Sequence, residues 1–252
     1  MTFNALKLNL TIFKFLSDNN AFIFNFNLYL QKKIYKNLLK KRNIMEAFKH
    51  IIRNIYPISD KSLHILLPYV QKKNYHKNEY IIKAGEIKHE IYFLSEGLVK
   101  INFNNNGEDI IIGLILKNQY VPSSMNLMKV KENDYKYSLT AIKDSIIYVV
   151  CKDVIHQLFN QDREIAYLFL TMADNLFIKS IDRIILQKCH SSSDRYKLLQ
   201  DEISNTLNDL SVKDVASLLG IKDTSLSRIR KQFANDKTLS TKNISKKKIK
   251  NP

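Results

Sequence analysis

The apolar positions of this 252-residue chain change period along its length. From about Tyr75 to Val150 they come in short β-branched or aromatic runs: "EYIIKAGE", "EIYFLSEGLVKINF", "EDIIIGLIL", "YKYSLTAI" and "SIIYVV". Runs of that length and composition, at regular spacing, predict strands. Four of the five glycines (Gly85, Gly97, Gly107 and Gly113) fall in this region, and "NNNGED" predicts a hairpin tip, since Asn and Gly tolerate positive φ. The pattern as a whole predicts an antiparallel roll or jelly-roll barrel.

Beyond Val150 the period becomes helical. "KDVIHQLFNQ" predicts a short helix, and 162–190 a long one in which Ile165, Leu168, Phe169, Met172, Leu176, Ile181, Ile184 and Ile185 recur at three and four. At a rise of about 1.5 Å per residue it would span about 43 Å. So broad an apolar stripe needs a partner, either a second copy or the chain's own roll. Ile165, Leu168, Met172 and Leu176 are the positions expected on a dimer seam. "SSSDRYKLLQDEI" follows, a Ser and Asp cap opening another helix.

"LSVKDVASLLGIKDTSLSRIRKQF", Leu210 to Phe233, holds two further helical patterns separated by one glycine. Val212, Val215, Ala216 and Leu219 share one face; Ile221, Leu226 and Ile229 share another. Ser211 and Asp214 have capping-box spacing, Ala216 is small where two helices cross, and Gly220 stands where a positive φ would end the first helix. The combination predicts a helix-turn-helix. Its second helix would offer Asp223, Thr224, Ser225, Ser227 and Arg228 to a DNA major groove, with Ser211 at the start of the first helix. Arg228 can fork to a guanine or clamp a phosphate. Lys222, Arg230 and Lys231 would add sequence-independent attraction. Two features oppose this slightly. Lys222 cannot accept the orphan N–H bonds of a helix start, and Asp223 suits the helix dipole but repels phosphate.

The pattern divides the chain into an atypical Phe-, Asn-, Leu- and Lys-rich extension (1–44), a roll (45–160), a long helix (161–190), a helix-turn-helix region (191–236) and a basic disordered tail (237–252). The extension reads as accessory or artefactual sequence from an upstream start; a membrane- or partner-binding helix is the competing reading, and no membrane association is expected of the rest. Net charge is +16, but 1–44 holds eight basic residues against one acidic, and 234–252 six lysines against one aspartate. That leaves 45–233 at +4, so the local arrangement must carry any DNA argument. Cys151 and Cys189, the two cysteines, make neither a disulfide framework nor a zinc or iron–sulfur site, which suits a reducing cytoplasm. The six histidines have no metal spacing, and no phosphate-cradling glycine loop, nucleophile elbow or paired carboxylates suggest an enzyme.

With "YIIKAGE", "YFLSEGLVKI", "LTAIKDSIIYVV", "SSSDRYKLL" and "VASLLGIKDTSLSRIRK" in this order, the chain from about Met45 to Phe233 resembles the cyclic AMP receptor protein and fumarate-nitrate regulator (Crp/Fnr) family of bacterial transcription factors. Leu-Ser-Arg-Ile-Arg looks like the variant of Bacteroidetes members. The resemblance implies an α+β architecture: an antiparallel, cyclic-nucleotide-binding-like β-roll, a long dimerisation helix, and a C-terminal winged-helix or helix-turn-helix domain. It implies a homodimeric transcription regulator whose partners are double-stranded DNA, a second copy of itself and RNA polymerase. The sensor half departs from the family. Ser123 and Ser124 stand near the expected Gly-Glu pair, Tyr135 stands where the phosphate-binding arginine would be, and no arginine lies between Arg53 and Arg163. A cyclic nucleotide is therefore disfavoured and no cofactor is required, while Lys129, Lys131 and Lys136 leave another anionic effector open. A ligand-binding or protein-interaction module whose helix-turn-helix no longer contacts DNA is the alternative function.

Overall fold

The structure, a computed structural model, describes residues 46–86, 88–105, 107–122 and 137–248, with side chains as far as 235. The chain divides into two units, Met1–Ala47 and Phe48–Pro252, and the roll and the helices after it lie in the second. A helix over 46–55 (α1) and α2 (Asp60–Leu66) lead into the roll.

Eight strands follow: β1 (Gln71–Tyr75), β2 (Tyr80–Ile82), β3 (Glu90–Glu96), β4 (Val99–Asn105), β5 (Glu108–Ile115), β6 (Tyr120–Pro122), β7 (Tyr137–Ala141) and β8 (Ser145–Cys151). They form two antiparallel four-stranded sheets, ordered β1-β8-β3-β6 and β2-β7-β4-β5. Tyr92, Leu94, Val121, Ile147 and Val149 of the first sheet meet Ile81, Ile82, Val99, Ile115, Leu139 and Ala141 of the second in one buried cluster. Apart from the adjacent Ile81 and Ile82, where the pairing of β2 with β7 is irregular, these are the alternate, inward positions of strands whose other face is polar or covered. Each apolar run quoted between Tyr75 and Val150 contains a strand. β1 was missed because "QKKNY" carries no alternation: it is an edge strand, paired only with β8. β6 was too short to register.

Gly107, at the tip between β4 and β5, has the positive φ expected there, 93°. Gly97 joins β3 to β4 at φ 104°, and a Cβ would stand 2.8 Å from the Asp144 carbonyl oxygen. That turn needs glycine for both conformation and space.

Four helices complete the fold: α3 (Lys152–Phe159), α4 (Arg163–Cys189), α5 (Ser192–Ile203) and, after a 3-10 turn at Leu207–Asp209, α6 (Val212–Leu219). A fifth, α7, runs from Asp223 to Lys248. Asp162 caps α4 by accepting from the Glu164 and Ile165 amides, and also accepts from the Ser62 hydroxyl. Ile165, Leu168, Phe169 and Met172 are buried, α4 packs on α3 and α2, and Tyr120 Oη donates to the Met172 carbonyl.

Three expectations change here. Ile165, Leu168 and Met172, placed on a dimer seam, are buried within this chain, and Leu176 is half-buried. The apolar stripe is broad enough to serve the chain's own packing first, and its unburied part lies elsewhere on the helix. Among the described residues no strand follows Cys151, so the expected wing has no counterpart. Where a tail was expected after 236, α7 continues to Lys248, since no glycine or proline lies between Gly220 and Pro252 to stop it.

Candidate nucleic-acid interface

The last three helices are assembled from local signals. Ser191 caps α5, accepting from the Asp194 amide. Ser211 caps α6, accepting from the Asp214 amide at 3.0 Å, while its own amide donates to Asp214 Oδ2 at 3.3 Å. This is the reciprocal box anticipated from the spacing. Burial opposes ionisation of Asp214, but the Ser211 hydroxyl and Lys100 hold its carboxyl below the usual carboxylate range. Gly220 ends α6 at φ 65°, ψ 38°, and the Ile221 amide closes back onto the Ala216 carbonyl at 3.0 Å. Lys222 then opens α7, its carbonyl accepting from the Ser225 and Leu226 amides.

Val215, Ala216 and Leu219 are buried, as are Leu226 and Ile229, with Tyr196 and Ile203 of α5 in the same cluster. Val212 is not: it is 44% exposed at the first turn of α6, because the buried stripe of so short a helix begins one turn later. Beside it Lys213 is exposed too, a cation on the outer face that the pattern did not single out.

The expected reading residues separate into two groups. Lys222, Asp223, Thr224, Ser227, Arg228 and Lys231 are exposed and share the outer side of α7's first turns. Ser225 is half-buried, and the Ser227 hydroxyl donates to the Asp223 carbonyl at 3.0 Å. Arg230 is half-buried with its guanidinium 6.0 Å above the Tyr196 ring, which also meets Phe233 edge-on at 5.6 Å. Arg230 is therefore first a packing residue. Ser211 is occupied as a cap.

The exposed apolar side of α4 is Tyr167, Leu170, Phe177, Ile178, Ile181, Ile184 and Ile185, with Phe177 the most open at 68%. Three of these, the isoleucines at 181, 184 and 185, belonged to the stripe read from the sequence.

Ser123, Ser124, Tyr135 and Lys136, with Lys129 and Lys131, lie outside the described residues. The described interior of the roll holds a void of ≈ 10 Å³, walled by Ile81, Tyr92, Leu94, Val99, Ile115, Val121, Leu139 and Ile147. That is room for about one water and offers it no polar partner except Tyr92. The Tyr92 hydroxyl donates to Glu90, which also accepts from Lys73 at 2.9 Å. Cys151 and Cys189 are both exposed, and no group of three His, Cys, Asp or Glu suited to a metal occurs among the described residues. No helix there is long and apolar enough to cross a membrane.

Residues 72–162 match the family model of the cyclic nucleotide-binding domain. A comparison with curated proteins finds no match. Solved structures share the fold. FixK2 from Bradyrhizobium japonicum superposes with a TM-score of 0.56 at 18% identity, over 66% of this chain and 85% of that one. The c-di-GMP responsive global regulator CLP of Xanthomonas campestris gives 0.56 at 13%, over 71% and 93%. A Eubacterium rectale protein assigned to the Crp/Fnr family of transcriptional regulators gives 0.58 at 12%, over 73% and 88%. The chain thus carries a β-roll of the cyclic nucleotide-binding type followed by helices, and shares its fold with these solved structures.

Proposed function

We propose that this chain is a homodimeric, sequence-specific DNA-binding regulator of transcription whose reading element is the helix-turn-helix formed by α6 and α7. The observation that carries the reading is the outer face of α7. Thr224, Ser227, Arg228 and Lys231 are exposed on one side of a short glycine-hinged pair whose other side is fully committed to packing. Hydroxyls and an arginine at a helix start suit base edges and phosphates, and Lys213 and Lys222 flank them with charge. The exposed apolar side of α4 supplies a seam for the second copy, and a two-fold dimer would set two such helices about 34 Å apart, one turn of DNA.

The roll is the sensor in this reading, and a cyclic nucleotide is disfavoured as its signal. No arginine lies between Arg53 and Arg163 to neutralise a cyclic phosphate, and the small void in the described interior is lined by aliphatic side chains and Tyr92. RNA polymerase is the further partner of such a regulator.

The test is selection of genomic and random DNA fragments on the purified chain beside Arg228→Ala. A near-palindromic site recovered by the first and lost by the second, with unchanged melting, is the expected result. Equal enrichment of the same site by both would remove Arg228 from the interface. Recovery of nothing at low salt, with cell extract supplying effectors, would favour an interaction module that has left DNA.

A further inference from the structure

The strongest unexplained feature is how the roll holds α6. Leu98, in the β3–β4 turn, and Ile142, just after β7, are buried in the same cluster as Val215, Ala216, Leu219, Leu226 and Ile229. Leu114 and Leu116 pack against it from β5 and the residue following it. One apolar core therefore joins the sheet to the helix pair, and α6 lies on β5.

Polar contacts fix where it lies. β5 is the outer strand of its sheet, and its register steps from Asn102↔Ile111 to Ile101↔Gly113, a bulge that leaves Ile112 unpaired. The Ile111 amide beside that bulge donates to Ser217 Oγ, in the middle of α6, at 2.8 Å. Lys100 of β4 meets Asp214, in the first turn of α6, at 3.1 Å with both side chains largely shielded from solvent. Lys143 meets Asp209, just before α6, at 2.8 Å. At the other end, Arg195 of α5 donates through Nη2 to the Leu219 carbonyl at 3.1 Å and through Nη1 to the carbonyls of Gln187 and His190. Its guanidinium thus ties the last turn of α6 to the end of α4. A Cβ on Gly113 would stand 3.0 Å from the Arg183 guanidinium, so α4 also rests on β5.

We propose that α6 is a lever latched at its start and middle to the β4–β5 hairpin and at its end to the close of α4. On this account Lys100, Ser217 and Arg195 are positioning residues that set the orientation of α7. The proposal rests on the DNA-reading function above for its consequence, though not for its mechanics. A displacement of β4–β5 relative to α4 cannot leave α6 where it was, because one set of attachments grips the start and middle of this eight-residue helix and the other its last turn. Sheet and long helix are then read together, and the turn at His190–Ser191 is not a free hinge.

The experiment is hydrogen exchange on the full chain, wild type against Lys100→Met with Ser217→Ala, and separately Arg195→Met. Each variant is also assayed against the selected DNA site. The expected result is at least tenfold faster exchange of the α6 and α7 amides, with β3 and β8 amides unchanged as the control for folding. Specific affinity should fall at least tenfold while the slope of binding against salt stays the same, since that slope counts phosphate contacts and not their orientation. Unchanged exchange in α6 overturns the latch. So does faster exchange in which β3 and β8 share, because the change is then global. If the wild type binds no DNA but the variants free α6, the DNA reading falls and the latch stands. If it binds and the variants alter neither exchange nor affinity, the latch alone falls.

Discussion

Lys152 shows how burial at one residue becomes a property of the fold. It is 3% exposed at the start of α3, and desolvation lowers its ammonium from the ordinary 10.5 to about 8. Between those values the unfolded chain keeps a proton that the folded chain has released, so this group's contribution to stability rises with pH across that window. Below it the folded chain carries a desolvated ammonium. Lys152→Met removes the titration. Relative to the wild type, its melting temperature should stand highest near pH 7 and fall back toward pH 10; a difference independent of pH would contradict the assignment. At the same scale the two arginines of α7 part company. Arg228 is exposed and free to reach a ligand, whereas Arg230 lies over Tyr196. The sequence set Arg228 to read and Arg230 to add attraction; that Arg230 turns inward depends on where α5 brings its tyrosine.

Among the elements, those with local causes were legible and those with distant causes were not. The capping box at Ser211 and Asp214, the positive φ of Gly220 and the tip at Gly107 each follow from a few adjacent residues, and each appeared as expected. β1 is polar and exists because β8 pairs with it, which no local pattern reports. For α4 the period was right and the face was wrong. Ile165, Leu168 and Met172 are buried within the chain, where α4 packs on α2 and α3, and the opposite side, which includes Phe177, is what remains for a partner. Phe177→Glu should therefore shift the chain toward monomer in sedimentation analysis without lowering the melting temperature of the roll, while Leu168→Glu should unfold it. A variant at Phe177 that leaves the oligomeric state untouched would move the seam elsewhere. The pocket residues Ser123, Ser124, Tyr135 and Lys136 fall outside the described structure, so the sensor end remains an expectation from sequence.

For the whole molecule, the ion pair between Lys100 and Asp214 couples acidity to the joint between roll and helices. Asp214 is held low by Ser211 and Lys100 against the opposing effect of burial. A carboxyl depressed on folding contributes stability above its unfolded value of about 3.9, and that contribution is lost as pH falls through the folded value. Lys100→Met should thus destabilise the chain at pH 7, and the difference from wild type should narrow below about pH 4 as Asp214 is protonated in both. A difference that persists at pH 2 would mean the lysine acts through its aliphatic stem alone.

β5 adds one more consequence. It is an eight-residue outer strand of sequence "EDIIIGLI", the kind of unpaired apolar edge that templates pairing with another chain. α6 covers it, and Ser217 occupies its Ile111 amide. Any signal that lifted α6 clear of the roll would uncover that edge and invite aggregation. A variant that detached α6 altogether should therefore lose solubility, whereas the latch variants, which only loosen it, should stay in solution.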